Sequence, residues 1–314
     1  MKIRYVKKAK KQGRIFVFCM VYNEEWFLPH FLDHHRRLGV DHFVFYDDLS
    51  TDRTREMLLA QDDCTVVMPT AEPGEKIQHG VWLQKRVGTE VPELEGPGKW
   101  GITLDADELM ILPTRFSTIG EVVGYLDRKN LKCALAPMVD FYPQRLADRF
   151  YDPLPPIKGC PWFDRDPGFQ RIPGRRGPQM IPSGVRVRLL RLLASQHPEK
   201  MKEIYGDKAY RYAKLWKVPI VKTGEGIVRT TAHNLNIEPP TDIQLAIAHF
   251  KFYPRMDERI DEAFGRNGHF QGGVEYKFLK AVLELFPEQP LVGSRSVEYL
   301  SPEDLERAGL MWAH

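Results

Sequence analysis

The order of apolar and polar residues predicts that strands and helices alternate in the first part of the chain. Residues 14–22 (RIFVFCMVY) form a nearly continuous apolar run, typical of a strand buried on both faces of a parallel sheet. Asn23 follows as a candidate helix N-cap, and apolar residues then recur at helical spacing as far as Leu38, before Gly39. The same pattern predicts further strands at residues 42–46, 65–68, 100–104 and 133–139, and further helices at residues 52–60, 75–87 and 118–126.

This alternation predicts the fold class. Strands that alternate with helices are joined by right-handed crossovers, which gives an α/β fold with a mainly parallel sheet flanked by helices. Ligands of such sheets bind beyond the carboxyl ends of the strands. Polar residues follow three of the predicted strands at that edge: Asn23 and Glu24, Asp47 and Asp48, and Asp105. We therefore expect the binding site there.

The second part of the chain has a different pattern. Eight prolines punctuate residues 153–182, which predicts a long loop without regular structure. Ordered elements are expected again at residues 185–193, around Ile220, at residues 243–253 and 276–286, and after Ser301. The chain is therefore expected to have three parts: a basic N-terminal tail at residues 1–13, a sheet-forming half at residues 14–140, and a loop-rich half at residues 141–314 that is continuous with it.

Composition and charge narrow the class of protein. The chain has 314 residues and a net charge of +3, too small an excess to indicate nucleic acid as a partner. No apolar stretch approaches the roughly 20 residues of a membrane helix, and the N-terminus lacks the apolar core of a secretory signal. The four cysteines are far apart, which argues against a zinc site and a disulfide framework. We expect a cytoplasmic protein.

The first 14 residues carry a run of basic residues with no acidic one among them: Lys2, Arg4, Lys7, Lys8, Lys10, Lys11 and Arg14. Such a run is usually a solvated tail. It also suits peripheral contact with anionic lipid at the inner membrane surface, or with a polyanionic acceptor.

The clearest sign of chemistry is a group of three carboxylates, Asp105, Asp107 and Glu108, at the end of the strand predicted at residues 100–104. Hard divalent ions prefer oxygen ligands, and Mg²⁺ commonly uses one or two carboxylates together with the phosphates of a substrate. Asp105 and Asp107 are therefore candidate ligands of Mn²⁺ or Mg²⁺ in a site that also binds a diphosphate. The other interpretation is an acidic turn that only caps the next helix.

Four short motifs follow one another within residues 14–140: VYNE at 21–24, HHRRLGVD at 34–41, YDDLSTDRT at 46–54, and the segment from Trp100 to Glu108. Together they resemble the nucleotide-binding half of inverting glycosyltransferases of the family 2 type, and most of all the branch related to family 92, which carries a DxDE motif. The resemblance implies a GT-A (Rossmann-like) fold, a nucleotide-sugar donor and a divalent metal.

The resemblance also implies roles for single residues. Tyr22 and Glu24 would contact the base, Asp47 the uracil or ribose, Asp105 the ribose side, and Asp107 the metal. Asn23 and Asp48, beside them, are further candidate contacts of the nucleotide sugar. A histidine from the later part of the chain would complete the metal site, and the candidates are His249, which is followed by Phe250, and His233.

An inverting transfer also needs a base for the acceptor proton. The family's usual Glu-Asp pair is missing, so the candidates are Asp140, at the end of a predicted strand, and Asp164 or Asp166 in the proline-rich loop. Arg171 and Arg175 in that loop are candidate diphosphate ligands, because arginine forks suit phosphate oxygens. The loop would close over the donor; a solvated basic loop is the alternative.

The function expected from these residues is metal-dependent, hexosyltransferase-like transfer of a sugar from a nucleotide sugar, first of all a UDP-sugar. The acceptor would be a hydroxyl of a glycan, a lipid-linked sugar or another molecule, bound by residues 141–314. A nucleotidyltransferase is one alternative, although it normally has a glycine-rich basic loop where Asn23-Glu24-Glu25 stands. A non-catalytic nucleotide-sugar-binding protein and a nucleic-acid or membrane adaptor are the others.

Overall fold

A computed structural model of the protein describes residues 2–70, 95–172, 177–206, 214–224, 226–231, 233–265 and 273–314. Two compact units make up the chain. Unit 1 comprises Met1–Ala136, Lys217–Ile247 and Met311–His314, and unit 2 comprises Pro137–Trp216 and Ala248–Leu310.

The strands are β1 (Lys2–Lys7), β2 (Ile15–Val21), β3 (Phe43–Asp47), β4 (Cys64–Thr70), β5 (Trp100–Thr103), β6 (Glu108–Ile111), β7 (Cys133–Tyr142), β8 (Trp162–Asp164), β9 (Phe169–Gln170), β10 (Gln179–Met180), β11 (Trp216–Lys222), β12 (Ile243–Gln244), β13 (Ala246–Phe250), β14 (Ser296–Glu298) and β15 (Trp312–Ala313). The α-helices are α1 (Phe27–Arg37), α2 (Thr54–Leu59), α3 (Ile119–Arg128), α4 (Pro156–Gly159), α5 (Val185–Gln196), α6 (Pro198–Tyr205), α7 (Met256–Gly265), α8 (Val274–Leu285) and α9 (Pro302–Arg307).

The sheet of unit 1 has the strand order β1-β4-β3-β2-β5-β11-β7-β12-β15. At its centre, β2 pairs in parallel with β3 and β5, and β3 pairs in parallel with β4. Antiparallel pairing joins β1 to β4, β11 to β5 and β15 to β12. The predicted α/β fold with a mostly parallel sheet flanked by helices is thereby confirmed.

Strand β3 shows why its first four residues, 43–46, are all apolar. On one face, the rings of Phe43 and Phe45 lie 6.5 and 6.1 Å from the ring of Phe31 on α1. On the other face, its side chains join a buried cluster formed by Phe16, Phe18, Val44, Tyr46 and Val67. Because both faces are covered, alternation of apolar and polar residues is absent, as expected of a central parallel strand.

The prediction that Asn23 caps the first helix is wrong. Helix α1 begins at Phe27, and Asn23 has a positive φ of 54°. Its Oδ1 instead accepts hydrogen bonds from the backbone N–H groups of Thr51 at 2.8 Å and Asp52 at 3.3 Å. The same side-chain chemistry that suits an N-cap therefore joins two loops here.

Other elements also differ from the predictions. Lys2–Lys7, expected to be part of a tail, form β1, and the four residues of β6 were not predicted as a strand. The proline-rich loop was expected to lack regular structure, but it contains α4 and the short strands β8, β9 and β10. Its prolines limit the length of these elements without preventing them. The helix predicted at residues 75–87 lies outside the described residues.

In unit 2, β8 pairs antiparallel with both β7 and β14. The rings of Phe141 on β7 and Phe163 on β8 are stacked with their centroids 5.7 Å apart. Helices α5 and α8 bury apolar faces that include Leu189, Leu193 and Phe278. No helix in the described part of the chain has both the length and the apolar character needed to cross a membrane.

Candidate functional site

The segment from Leu104 to Glu108, here called the acidic turn, joins β5 to β6. The backbone N–H of Glu108 donates to the Asp105 carbonyl at 3.1 Å, and the Asp105 N–H donates to Oε2 of Glu108 at 2.9 Å. The Asp105 side chain is 45% exposed, whereas Glu108 is completely buried. Neighbouring carboxylates of the turn therefore occupy different environments, one open to a ligand and one inside the protein.

Lys217 on β11 is the cation that balances the acidic turn. Its Nζ lies 2.8 Å from Oδ2 of Asp105, 2.6 Å from Oε1 of Glu108 and 2.8 Å from Oε2 of Glu108. Burial raises the pKa of Glu108 to about 8, and the charge of Lys217 acts in the opposite direction. Burial would lower the pKa of Lys217, but the charges of Asp105 and Glu108 keep it above its usual value. A protonated Lys217 thus partners the buried Glu108.

Two histidines of α1 hold β6 by its backbone. Nε2 of His34 donates to the carbonyl of Met110 at 2.7 Å, and the Met110 N–H donates to Nε2 of His35 at 3.4 Å. Nδ1 of His35 donates to the carbonyl of Phe31 at 2.8 Å. Burial lowers the pKa of His35 well below its usual value, so the ring is neutral. The pair fixes the strand that follows the acidic turn, which gives the two histidines of the HHRRLGVD motif a structural role.

Unit 2 contains a second group of ionisable side chains, Asp140, Arg186, His249 and Glu275, here called the Asp140 network. The first three are buried, whereas the Glu275 side chain is 42% exposed. Oδ1 of Asp140 lies 2.7 Å from Nδ1 of His249, and Arg186 donates to both Asp140 oxygens at 2.7 and 3.0 Å. Arg186 also pairs with Glu275. Burial opposes the charge of Asp140, but Arg186 and His249 hold the pKa of this carboxyl well below its usual value. Asp140 is therefore ionised.

Asp107, Glu108 and His249 form a group that could hold a metal ion. Each residue offers one ligand atom, and these atoms all lie within 4.8 Å of one another. Carboxylate oxygens and an imidazole nitrogen are a suitable donor set for Mn²⁺ and similar divalent ions. Two predicted ligands, Asp107 and His249, belong to the group, and Glu108 joins them. Within the described ranges, Asp105 and His233 are not members of it.

The loops that follow β2 and β3 are joined by hydrogen bonds. The Asn23 N–H donates to Oγ of Ser50 at 3.1 Å, and the Glu24 N–H donates to Oγ1 of Thr54 at 2.7 Å. Leu49, like Asn23, has a positive φ, here 65°. Left-handed backbone is tolerated by asparagine but is costly for leucine, and residues strained in this way cluster at functional sites. The strained residue, Leu49, thus lies directly after Asp47 and Asp48, which are predicted to bind the nucleotide.

Asp47 is engaged within its own loop. Its Oδ1 accepts the Ser50 N–H at 2.7 Å, and its Oδ2 lies 2.5 Å from Nε of Arg55. The neighbouring Asp48 is buried, and its backbone N–H donates to the carbonyl of Val21 at 2.9 Å. Tyr22 is half-buried. Contact of these side chains with a base or ribose stays a prediction.

The remaining predicted site residues have varied surroundings. Asp164 accepts hydrogen bonds from Arg188 at 3.0 and 3.1 Å and from the Tyr142 hydroxyl. Asp166 pairs with Arg295. The other three are placed as follows: His233 is half-buried and its carbonyl accepts the Val218 N–H, Arg171 is half-buried, and Arg175 lies outside the described residues. The two loop carboxylates proposed as bases are therefore both in ion pairs.

Sequence reasoning missed Lys217 and Arg186. Lys217 stands in the apolar run WKVPI, where a single charged residue on a buried strand requires a partner of opposite charge. That requirement was a usable signal, although it could not identify the partner. Arg186 lies in VRVRLLRLL, where three arginines share a helix and nothing local distinguishes them.

Comparison with known proteins found no matching family model and no matching curated protein. The functional argument accordingly rests on the residues, the fold and the geometry of the acidic turn.

Proposed function

We propose that the protein is a metal-dependent glycosyltransferase that moves a sugar from a nucleotide sugar, first of all a UDP-sugar, to an acceptor hydroxyl with inversion. The observation that carries the proposal is the group of Asp107, Glu108 and His249, whose ligand atoms lie within 4.8 Å of one another. The acidic turn follows β5, a strand of the mostly parallel sheet, and such sheets bind ligands beyond their strand ends. The four motifs of the first half add support.

In the proposed reaction, the acceptor hydroxyl attacks the anomeric carbon as the nucleoside diphosphate leaves from the opposite side. A bound metal ion would neutralise the charge that develops on the departing diphosphate. Asp107, Glu108 and His249 would hold that ion. Lys217 keeps the acidic turn in place, and the joined loops that carry Asn23 and Asp48 would position the nucleoside.

The acceptor proton needs a base in the same step. Asp140 and Asp164 were the sequence candidates, and each carboxylate is held by an arginine. Burial opposes the charge of Asp140, but Arg186 and His249 hold the pKa of this carboxyl well below its usual value, which makes it a weak base. Both oxygens of Asp164 accept hydrogen bonds from Arg188. The proposal therefore does not depend on either residue as the base.

These ion pairs favour a second candidate function, a non-catalytic nucleotide-sugar-binding protein. Such a protein needs the joined loops and the acidic turn but no base. The two functions differ in one measurable respect, because the transferase releases a nucleoside diphosphate from its donor in the presence of an acceptor. The binding protein returns the donor unchanged.

A thermal-shift screen tests the proposal. UDP-, GDP-, CMP- and TDP-linked sugars are added to the protein with and without Mn²⁺, and diphosphate release is then measured for each donor that binds. A donor at 100 times its Kd stabilises a protein by about 2.7 kcal/mol, so a clear, Mn²⁺-dependent rise in Tm is expected for a UDP-sugar. Asp107→Asn is expected to abolish the metal dependence, and Asp62→Asn, on an exposed residue, serves as the control. If none of the donors stabilises the protein, the proposal is wrong.

We further propose that the protein acts in the cytoplasm, with its basic N-terminal residues directed at anionic lipid of the inner membrane surface, where a lipid-linked or glycan acceptor would be found. Arg4 and Lys8 are exposed. Co-sedimentation with vesicles of anionic lipid tests this location. Binding that falls with added salt and with Arg4→Ala plus Lys8→Ala is expected, and salt-insensitive binding or none would contradict it.

A further inference from the structure

Hydrogen bonds in unit 2 hold the guanidinium of Arg188, on α5, in a fixed position. Nε of Arg188 donates to Oδ2 of Asp164 at 3.1 Å, and Nη2 donates to Oδ1 of Asp164 at 3.0 Å. Nη2 also donates to the Tyr142 hydroxyl at 3.3 Å. One edge of the guanidinium is thus occupied by a carboxylate, and the group cannot turn without breaking these bonds.

The carboxylate of Asp164 is held by other residues besides Arg188. Asp164, at the end of β8, is 6% exposed, and Tyr142, at the end of β7, is completely buried. Oδ1 of Asp164 accepts hydrogen bonds from the Tyr142 hydroxyl and from Oγ of Ser296, the latter at 3.2 Å. Three strands therefore fix the carboxylate, and the carboxylate fixes a partly exposed arginine.

The third nitrogen of this guanidinium, Nη1, is open to a ligand. Among the described residues, hydrogen-bond partners are found for Nε and Nη2 of Arg188 but not for Nη1. The side chain is 33% exposed, and Nη1 is not among the buried nitrogens that lack a partner. Gly293 lies beside it, because a Cβ built at Gly293 would be 3.5 Å from Nη1. Glycine therefore leaves space next to two N–H donors.

The charge around Arg188 favours an anion. Arg188 and residues 164–166 and 293–296 together include three arginines and two aspartates. Among the described residues, each aspartate pairs with one of the arginines, which leaves the positive charge of Arg165 over. The Arg165 N–H donates to the carbonyl of Arg295 at 3.0 Å, so Arg165 adjoins the same turn. A phosphate ester, with about 1.5 to 2 negative charges near pH 7 and three acceptor oxygens, matches this excess better than a carboxylate does.

We propose that Nη1 of Arg188 and the turn at residues 293–296 form a binding site for a phosphate group. Because Asp164 and Tyr142 already hold the guanidinium, little side-chain entropy is lost when the anion binds. The inference goes beyond the proposed function and does not depend on it. Every residue in it belongs to unit 2, and it requires neither a metal ion nor a nucleotide sugar.

Gly293→Asp is the most informative substitution. Its Cβ would be in ordinary contact with Nη1, at 3.5 Å, and its carboxylate would take the place of the phosphate. The pair of Arg188 and Asp164 is kept, so a pair with only a structural role would be undisturbed. Arg188→Lys keeps a positive charge beside Asp164 but removes Nη1. Arg191→Gln is the matched control, because it changes an exposed residue of the same helix and lowers the net charge by the same amount as Gly293→Asp.

Titration calorimetry of the full chain, at low salt and without metal, measures the Kd of inorganic phosphate, glycerol 3-phosphate and acetate. Loss of a hydrogen bond to a charged group weakens binding about 10-fold or more. A loss of this size is expected for both phosphates in Gly293→Asp and in Arg188→Lys, with an unchanged Kd in Arg191→Gln. Tighter binding of glycerol 3-phosphate than of inorganic phosphate would support a phosphate ester as the ligand, and the reverse order would support the free ion.

Three results would overturn the proposal. They are no phosphate binding by the wild type, a phosphate Kd that is the same in Gly293→Asp as in the wild type, and acetate binding as tight as phosphate binding. Should Arg188→Lys not fold, the comparison of Gly293→Asp with Arg191→Gln decides the question. No nucleotide sugar is used, so failure here is distinct from failure of the proposed transferase activity.

Discussion

The pair of Lys217 and Glu108 allows a specific prediction about stability. Lys217→Met keeps the length and apolar stem of the side chain but removes the ammonium that lies 2.6 and 2.8 Å from the two oxygens of Glu108. Glu108 is completely buried, so water cannot replace the lost partner. Removing one member of a buried ion pair typically costs about 3–5 kcal/mol, because a charge is left uncompensated. We expect the loss to approach this size above about pH 8, where Glu108 of the wild type is charged.

The loss should depend on pH in a definite direction. Burial already raises the pKa of Glu108 to about 8, and without Lys217 the opposing attraction is gone, so the folded variant has a still higher pKa there. An unfolded glutamate titrates near pH 4.3, so the folded variant binds a proton that the unfolded chain releases above that pH. The wild type and the variant therefore lose stability in parallel between about pH 4.3 and about pH 8, by up to about 1.4 kcal/mol per pH unit, and above about pH 8 only the variant keeps losing stability through this group. The cost of Lys217→Met should therefore be smaller at about pH 7 than at about pH 9.

Urea unfolding of four proteins measures this prediction: the wild type, Lys217→Met, Glu108→Gln and the double variant, each at about pH 7 and about pH 9. The neutral amide of Glu108→Gln needs no cation, so the double variant should lose less than the sum of the single losses. Coupling energies between residues in contact are about 0.5–3 kcal/mol, and a value in the upper half of that range is expected at about pH 9. Additive losses, or a Lys217→Met loss that is the same at both pH values, would refute the reasoning.

Three further predictions concern residues of unit 1 that lie outside the acidic turn. Burial lowers the pKa of His35 well below its usual value, whereas the unfolded chain takes up a proton below about pH 6.5. The wild type should therefore lose up to about 1.4 kcal/mol per pH unit below that value, and His35→Gln should lack this contribution in urea unfolding between pH 5 and 7. Leu49 has a φ of 65°, so Leu49→Val should lower Tm more than Leu49→Gly, because a β-branched residue is least tolerant of left-handed backbone; the reverse order would contradict the argument. A Cβ at Gly101 would lie 2.9 Å from the ring of Phe16, so Gly101→Ala should cost about 1–3 kcal/mol, and the smaller side chain of Phe16→Leu should recover part of that loss in thermal unfolding.

The central strands could be predicted because each one has its own run of apolar residues, which indicates burial. In β3 all five residues are buried and the first four are apolar, and an apolar run of that length indicates a strand covered on both faces. Strand β6 could not be found in this way. It is four residues long, it begins with the last of three carboxylates, and the backbone of Met110 is paired with the side chains of His34 and His35. Its position is determined by a helix that lies about 75 residues earlier in the chain.

The acidic turn was predicted as a site, but the groups that control its electrostatics were not. Lys217 is 112 residues from Asp105 in the chain, and Arg186 is 46 residues from Asp140. Ion pairs of that separation leave no periodic pattern, since each partner seen alone is only a charged residue in an apolar segment. Sequence reasoning therefore named Asp105 and Asp107 as candidate metal ligands and did not include Glu108. Their roles differ because burial and pairing differ.

Glu108 would have to contact two cations at once, the ammonium of Lys217 and the proposed metal ion. Both of its oxygens lie within 2.8 Å of the Lys217 ammonium, and a metal ligand must direct an oxygen lone pair at a second cation. A carboxylate has lone pairs for both, but the two cations repel each other across a short distance in a poorly solvated place. Removing Lys217 relieves that repulsion and leaves a buried carboxylate that a divalent ion can compensate. Mn²⁺ should therefore raise the Tm of Lys217→Met by more than it raises the Tm of the wild type, and an equal rise in both would mean that the ion binds without Glu108.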